Sequence, residues 1–183
     1  MNAPIDVKSI CIETERLILR SWQMDDVDSF YMHAFDDEDE MDDSAEHPPI
    51  EIFQRILNKI IQESKTFAIV LKENGDIIGS LGLQPRHADS GLPDEMNGRE
   101  ISYELFKDYR GNGYMTEAVK AVCSYCFNQL YYDYLTCGYF EGNHKSKNVM
   151  ERCGFTWLKD IDTEVKSGAT LPGKLYVRYQ TNK

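Results

Sequence analysis

No stretch of about 18 apolar residues occurs anywhere in the sequence, so no segment reads as a membrane-spanning helix. The opening residues MNAPIDVKSI lack a basic stretch followed by an apolar one, so they do not read as a secretory signal. Paired cysteines are lacking: the five are odd in number and scattered. Cys11, Cys123, Cys126, Cys137 and Cys153 offer no paired framework and read as reduced thiols in a cytoplasm. His33, His47, His87 and His144 show no metal-ligand spacing, and no metal is expected. There is no internal repeat and no Pro/Gly-rich linker. The 183 residues therefore read as one domain over residues 1–183, with residues 1–9 as a flexible lead-in.

Positive charge is also in short supply. The formal net charge of −11 excludes an extended nucleic-acid-binding surface. Between Ser21 and Gln54 there is no Lys or Arg but there are twelve acids: Asp25, Asp26, Asp28, Asp36, Asp37, Glu38, Asp39, Glu40, Asp42, Asp43, Glu46 and Glu51. The remainder holds 20 basic and 19 acidic residues, so nearly all the net charge lies in one segment. Such a segment is either a solvated acidic loop or an electrostatic funnel for a cationic partner.

What is present is a mixed pattern of β-rich and helical runs. Ile10 to Trp22 reads as a first strand or strand pair, and Asp25 to about Phe35 as a helix. A second helix over Ile50 to Ser64 puts Ile52, Phe53, Ile56, Leu57, Ile60 and Ile61 on one stripe. TFAIVLK and DIIGSLGLQ flank Asn74-Gly75, the strongest short hairpin signal. Arg99 to Phe106 alternates as a strand. Met115, Ala118, Val119, Val122, Cys123, Cys126, Phe127 and Leu130 then keep an unbroken helical spacing. Tyr134 to Phe140 follows as a strand, Asn143 to Cys153 as a short helix closed by Gly154, and Phe155 to Lys159 and Lys174 to Gln180 as final strands. The order is βααβββαβαββ, a mixed α/β (α+β) domain on one sheet.

A strand leading through Arg110-Gly111-Asn112-Gly113-Tyr114 into a long helix is a phosphate-binding arrangement. The first-turn amides of a helix have no intrahelical acceptor, the helix dipole favours an anion there, and glycine permits close approach. A dinucleotide fingerprint would need a third glycine where Thr116 stands. A P-loop would need Gly-Lys-Ser/Thr, which is missing. One strand further on comes Asn143-His144-Lys145-Ser146, running to Glu151-Arg152-Cys153-Gly154-Phe155.

Together these two segments resemble the GNAT superfamily of acyl-CoA-dependent N-acyltransferases. TERLILRSW, GYMTEA and ERCGF look specifically like its ribosomal-protein-alanine N-acetyltransferase branch. The resemblance covers about Thr14 to Arg178. It implies a mostly antiparallel sheet of about 6–7 strands, splayed at the acyl-CoA site. It further implies acetyl-CoA as co-substrate, bound by the backbone of Leu105 and Phe106, by Arg110, by the amides of Gly111, Asn112, Gly113, Tyr114, Met115 and Thr116, and by Asn143. Met115 departs from the family's Gly/Ala, a change that a backbone contact tolerates if the side chain turns into the core.

Acetyl transfer to an amine needs a base for the ammonium, stabilisation of the oxyanion and a proton for the thiolate. Glu100 and Glu104 share one strand face, and Glu100 aligns with the acid of this branch. Many members carry a Tyr seven residues after the Asn, where this chain has Met150. Ser146 matches the Ser of the ribosomal-protein branch and is the candidate acid; Tyr139 and Tyr176 are the substitutes. Cys123 and Cys126 have CxxC spacing but lie on the apolar stripe, so they read as core.

The function expected is thus acetyl transfer from acetyl-CoA to a primary amine, on a cationic small molecule or a protein or peptide N-terminus. No nucleic acid or membrane partner is expected, and the enzyme should be a monomer or homodimer. The alternatives are a non-catalytic acyl-CoA-binding or regulatory protein of the same fold, or an acid-tailed interaction module.

Overall fold

The computed structural model describes residues 4–33, 48–87, 90–164 and 170–180. Its strands are β1 (Ile12–Glu13), β2 (Leu17–Ser21), β3 (Thr66–Leu71), β4 (Ile77–Gln84), β5 (Gly98–Leu105), β6 (Tyr134–Phe140), β7 (Thr156–Glu164) and β8 (Thr170–Tyr179). The helices are α1 (Val27–His33), α2 (Ile50–Glu63), α3 (Tyr114–Asn128) and α4 (His144–Arg152). The strands hydrogen-bond in the order β1-β2-β3-β4-β5-β6-β8-β7. Pairing is antiparallel at β1–β2, β2–β3, β6–β8 and β7–β8, and parallel at β5–β6.

Eight strands replace the six or seven expected because the first β-rich run folds on itself. The Thr14 hydroxyl accepts from the Leu17 N–H at 2.9 Å, and the Thr14 N–H donates to the Leu17 carbonyl at 3.0 Å, making a tight turn between β1 and β2. β7 and β8 also run longer than their hydrophobic pattern suggests. Asp160 and Asp162 still pair with Lys174 and Pro172, since an edge strand can carry polar residues.

Contacts divide the chain into two compact units. One comprises residues 5–81 and 103–114. Its core joins Trp22, Leu57, Ala68, Val70 and Ile77, with Phe30, Ile60, Ile61 and Phe106 packed on it. In α2 only Phe53 and Leu57 are buried, whereas Ile52 and Ile56 are 39% and 44% exposed, so the six-residue stripe is narrower than its spacing implied. Asp26, read as one of the solvated acids, is instead a cap. It accepts from the Gln23 N–H at 2.8 Å and takes both Nη atoms of Arg20 at 2.7 and 2.8 Å. The acids from Asp36 to Glu46 lie outside the described residues. The expected flexible lead-in takes defined form from Pro4 onward: Val7 is fully buried and its N–H donates to the Ser64 carbonyl at 3.0 Å. Asn74-Gly75 does close a hairpin, but only Gly75 is left-handed (φ 82°), so the turn is a longer one than the two-residue type.

The other unit comprises residues 1–4, 82–102 and 115–183. Within it α3 buries Met115, Ala118, Val119, Val122, Cys123, Cys126 and Phe127, the stripe read from the sequence. Leu130 falls beyond the helix, where the chain turns through a left-handed Tyr131 (φ 55°). Gly98 lies tight against β6: a Cβ there would stand 2.5 Å from the Tyr134 carbonyl oxygen and 2.6 Å from its ring. Glycine is what lets the two parallel strands meet at this end.

Candidate active site

Two groups of residues are the candidates for the chemistry, and the contacts given for each lie within one unit. The first is the loop before α3. Gly111 (φ 83°) and Gly113 (φ 81°) are both left-handed, the backbone conformation from which anion-binding nests are commonly built. The loop is braced from behind. Arg110 Nε donates to the Leu105 carbonyl at 2.8 Å, and the Tyr109 hydroxyl donates to Asp76 at 2.9 Å. Asn112 Nδ2 reaches the carbonyls of Tyr109 and Arg110, both at 3.3 Å. Arg110 therefore shapes the loop. The backbone of Phe106 is engaged within the fold: its N–H donates to the Ile78 carbonyl at 2.9 Å, and its carbonyl accepts from the Tyr109 N–H at 3.1 Å.

One residue at this loop was not singled out in the sequence. Arg16, at the start of β2, lies with its guanidinium 4.5 Å from the Tyr114 ring centre and donates from Nη1 to the Asn112 carbonyl at 3.0 Å.

The second group surrounds Glu100. The β5–β6 ladder runs only from Gly98–Tyr134 to Glu100–Thr136, although β5 continues to Leu105 and β6 to Phe140. Glu100 and Thr136 are register partners, so their side chains share a sheet face, and Gly138 is the next residue on that face. A Cβ on Gly138 would stand 3.7 Å from Glu100 Oε1 and 3.5 Å from Ile161 Cδ1. Gly138 thus lies in contact range of the Glu100 carboxyl. Burial pushes the Glu100 carboxyl above its ordinary range, and the charge and backbone N–H of His87 pull it part of the way back. Glu104, four residues on, is exposed, so the two acids the alternation grouped together have different surroundings. Beside Glu100, His87 and Ile161 also line an open cleft of about 550 Å³ walled by Glu141, Lys159, Asp160 and Asp162. Lys174 bridges two of these acids, at 3.0 Å from Asp160 and 3.4 Å from Glu141. Thr136 is wholly buried, and its hydroxyl has no partner among the described residues.

Also in this unit, Asn143 caps α4, its Oδ1 accepting from the Ser146 N–H at 3.1 Å. The bond uses the acceptor of the amide and leaves its Nδ2 donor outside the cap. Ser146 is half-buried in the first turn. The helix closes through left-handed Gly154, with Gly154 N–H to Glu151 and Phe155 N–H to Met150, both at 3.1 Å. Met150, where many family members carry a Tyr, is fully buried. Tyr139 and Tyr176 are both buried, with ring centres 5.8 Å apart, and burial together with Tyr139 pushes the Tyr176 hydroxyl up. Cys123, Cys126 and Cys153 are buried thiols, and burial raises Cys123 to about 12 and Cys153 to about 11. They are packing residues, not nucleophiles. Among the described residues, no three His, Cys, Asp or Glu side chains gather as metal ligands would.

The model of the acetyltransferase (GNAT) domain matches residues 16–156, and the chain belongs to that family. A Bacillus licheniformis protein named "Uncharacterized N-acetyltransferase p20" is 29% identical over 126 residues, covering 64% of this chain and 66% of that protein. The chain thus spans just under two thirds of that relative's length. Among solved structures, a GNAT-family acetyltransferase from Bacillus anthracis superposes with a TM-score of 0.75 at 19% identity, covering 93% of this chain and 99% of the other. The ribosomal-protein-S5-alanine acetyltransferase of Vibrio fischeri gives 0.71 at 18% identity, with 94% and 97% covered. The microcin C7 self-immunity acetyltransferase, solved with acetyl-CoA and AMP, gives 0.72 at 17% identity, with 91% and 93% covered. At these identities the structures establish a common fold.

Proposed function

We propose that this protein is an acetyl-CoA-dependent N-acetyltransferase that moves acetyl directly onto a primary amine in a ternary complex. The observation that carries the reading is the braced pair of left-handed glycines, Gly111 and Gly113, opening α3 in a chain of this family. That loop suits a pyrophosphate: its amides donate without a counter-cation of their own, and the helix dipole adds to them. Acetyl-CoA in the microcin acetyltransferase supports the same donor here.

In the proposed reaction the amine nitrogen attacks the thioester carbonyl, the C–N bond forms and the C–S bond breaks. The ammonium first gives up a proton to Glu100, directly or through a water. A raised carboxyl is a better base for that step than an ordinary one, since the optimum lies nearer neutrality. The departing thiolate takes a proton from Ser146, and the second proton that the nitrogen sheds as the amide forms restores the serine hydroxyl. Changing Ser146 to Ala should lower kcat by about 10²-fold with a smaller effect on acetyl-CoA affinity, the usual scale for general acid catalysis. Measured in parallel, wild-type turnover in Ser146→Ala and a deficit in Tyr176→Phe would transfer the role to Tyr176.

For the acceptor we favour a cationic amine, a small molecule or a protein or peptide N-terminus. Asp162 lines the cleft next to the Lys174-bridged acids Glu141 and Asp160, and the sequence carries twelve acids with no basic residue from Ser21 to Gln54, a composition that suits a cationic acceptor. Five unpaired thiols suit a cytoplasmic setting. Thiol release from acetyl-CoA against a panel of amines and N-terminal peptides tests the reading. Turnover should be best with cationic acceptors, and added salt should raise their KM more than it changes kcat. Coenzyme binding without turnover on any amine would favour the non-catalytic alternative. No coenzyme binding at all would favour an interaction module.

A further inference from the structure

We propose that Arg16 is a phosphate-binding residue of the coenzyme site, adding a positive charge beside the glycine loop. The inference rests on the coenzyme reading above and deepens it.

A backbone nest presents N–H dipoles but no full positive charge, and coenzyme A brings several negative ones. The chain is a poor host for such a ligand. Its net charge is −11, and the loop and first turn of α3 carry Asp108 and Glu117 beside Lys107 and Arg110. Arg110 contributes one positive charge, with its Nε directed at the Leu105 carbonyl at 2.8 Å. A second cation from elsewhere in the sequence would offset more of the ligand's charge.

Arg16 is placed to be that cation. Its backbone is anchored, with the Lys72 N–H donating to the Arg16 carbonyl at 2.9 Å. Its side chain lies over the Tyr114 ring at 4.5 Å and donates to the Asn112 carbonyl at 3.0 Å. A Cβ on Gly113 would have Arg16 Nη2 as its neighbour, at 3.7 Å. Nη2 therefore borders the open side of the glycine around which the nest is built. Stacking fixes the plane of the guanidinium without using its N–H donors, which number five in all. A fixed planar fork is what recognises a phosphate oxygen well, since little side-chain freedom is then lost on binding. The residue itself is exposed, so the ligand can reach it.

The phosphate in question is either the pyrophosphate or the 3′-phosphate of the coenzyme, and two ligands separate them. Calorimetry at low salt would compare coenzyme A and 3′-dephospho-coenzyme A on the wild type, Arg16→Gln and Arg16→Lys. The Gln variant should bind coenzyme A at least about tenfold more weakly, the scale of one hydrogen bond to a charged group. The Lys variant should recover only part of the loss, because it keeps the charge and loses the fork. An equal loss with both ligands assigns Arg16 to the pyrophosphate; a loss confined to coenzyme A assigns it to the 3′-phosphate. Unfolding midpoints of the ligand-free proteins show whether each variant is folded. A folded Gln variant with wild-type affinity for coenzyme A would overturn the role of Arg16 while leaving the coenzyme site standing. A wild type that binds neither ligand would remove the coenzyme reading, and this inference with it.

Discussion

A chain with Gly113 replaced by valine is expected to lose coenzyme A affinity by about 10²-fold or more, the largest binding defect of any single change in the loop. The protein itself leaves room for a side chain there, since Arg16 Nη2 at 3.7 Å is in ordinary contact distance. The conflict is with the ligand, whose phosphate has to approach the backbone closely. Losing two hydrogen bonds to a charged group corresponds to about 3 kcal/mol or more, hence the hundredfold. The same φ of 81° makes valine strained in its own right, at about 1–3 kcal/mol. Stability will therefore fall as well, and alanine is the milder companion. Gly75→Ala isolates the strain: it has a matching φ of 82° and nothing within 4 Å, but lies in the β3–β4 turn. It should lower the unfolding midpoint without touching coenzyme affinity. A folded Gly113→Ala or Gly113→Val protein with unchanged affinity would move the site elsewhere.

Glu100→Gln should lower kcat by about 10²–10⁴-fold, the range for a lost general base, while making the protein more stable at neutral pH. The two effects have one origin. Burial raises the carboxyl in the folded protein, so between its ordinary value near 4.5 and the raised one the folded state holds more proton than the unfolded. Stability of the wild type accordingly falls as pH rises through that window, and the loss persists above it. Glutamine carries no proton to lose. The stability advantage of the variant should be full above the window and vanish below about 4.5, and thermal unfolding across pH checks it. The wild-type kcat/KM should rise with pH through the same window as the base is freed. Unaltered turnover in Glu100→Gln would leave Glu100 as a half-buried carboxyl without a chemical role.

What was readable in advance follows from how local each signal is. Every inward position of α3 from Met115 to Phe127 appeared in the sequence pattern, because a helix buried along one stripe records its packing every three to four residues. The strand Tyr134–Phe140 was legible to the residue, since Tyr132-Asp133 and Glu141-Gly142 bound it. The glycines of the loop were legible because left-handed backbone demands them. By contrast, the far half of β7 was hidden behind Asp160 and Asp162, polar residues at home on an edge. Asp26 was lost in an acidic run, and only its bonds to Arg20 and the Gln23 amide distinguish it from its neighbours. Phe106 was assigned by resemblance, and only the register of β4 shows that Ile78 already holds its amide. Arg16 lies 96 residues from Asn112, and no periodicity connects positions so far apart.

The Arg110–Leu105 brace has a consequence for how chains of this kind can vary in length. Five residues separate the guanidinium from the carbonyl that it grips at the end of β5. Within that span Phe106 is fastened to Ile78 and Tyr109 to Asp76, so each connection measures the same short piece of chain. One residue added or removed between Leu105 and Arg110 would break all three together and rotate the glycines away from the helix they introduce. Insertions and deletions accepted by natural or recombined descendants should for this reason be absent from residues 105–113 and collect in spans without such fastenings.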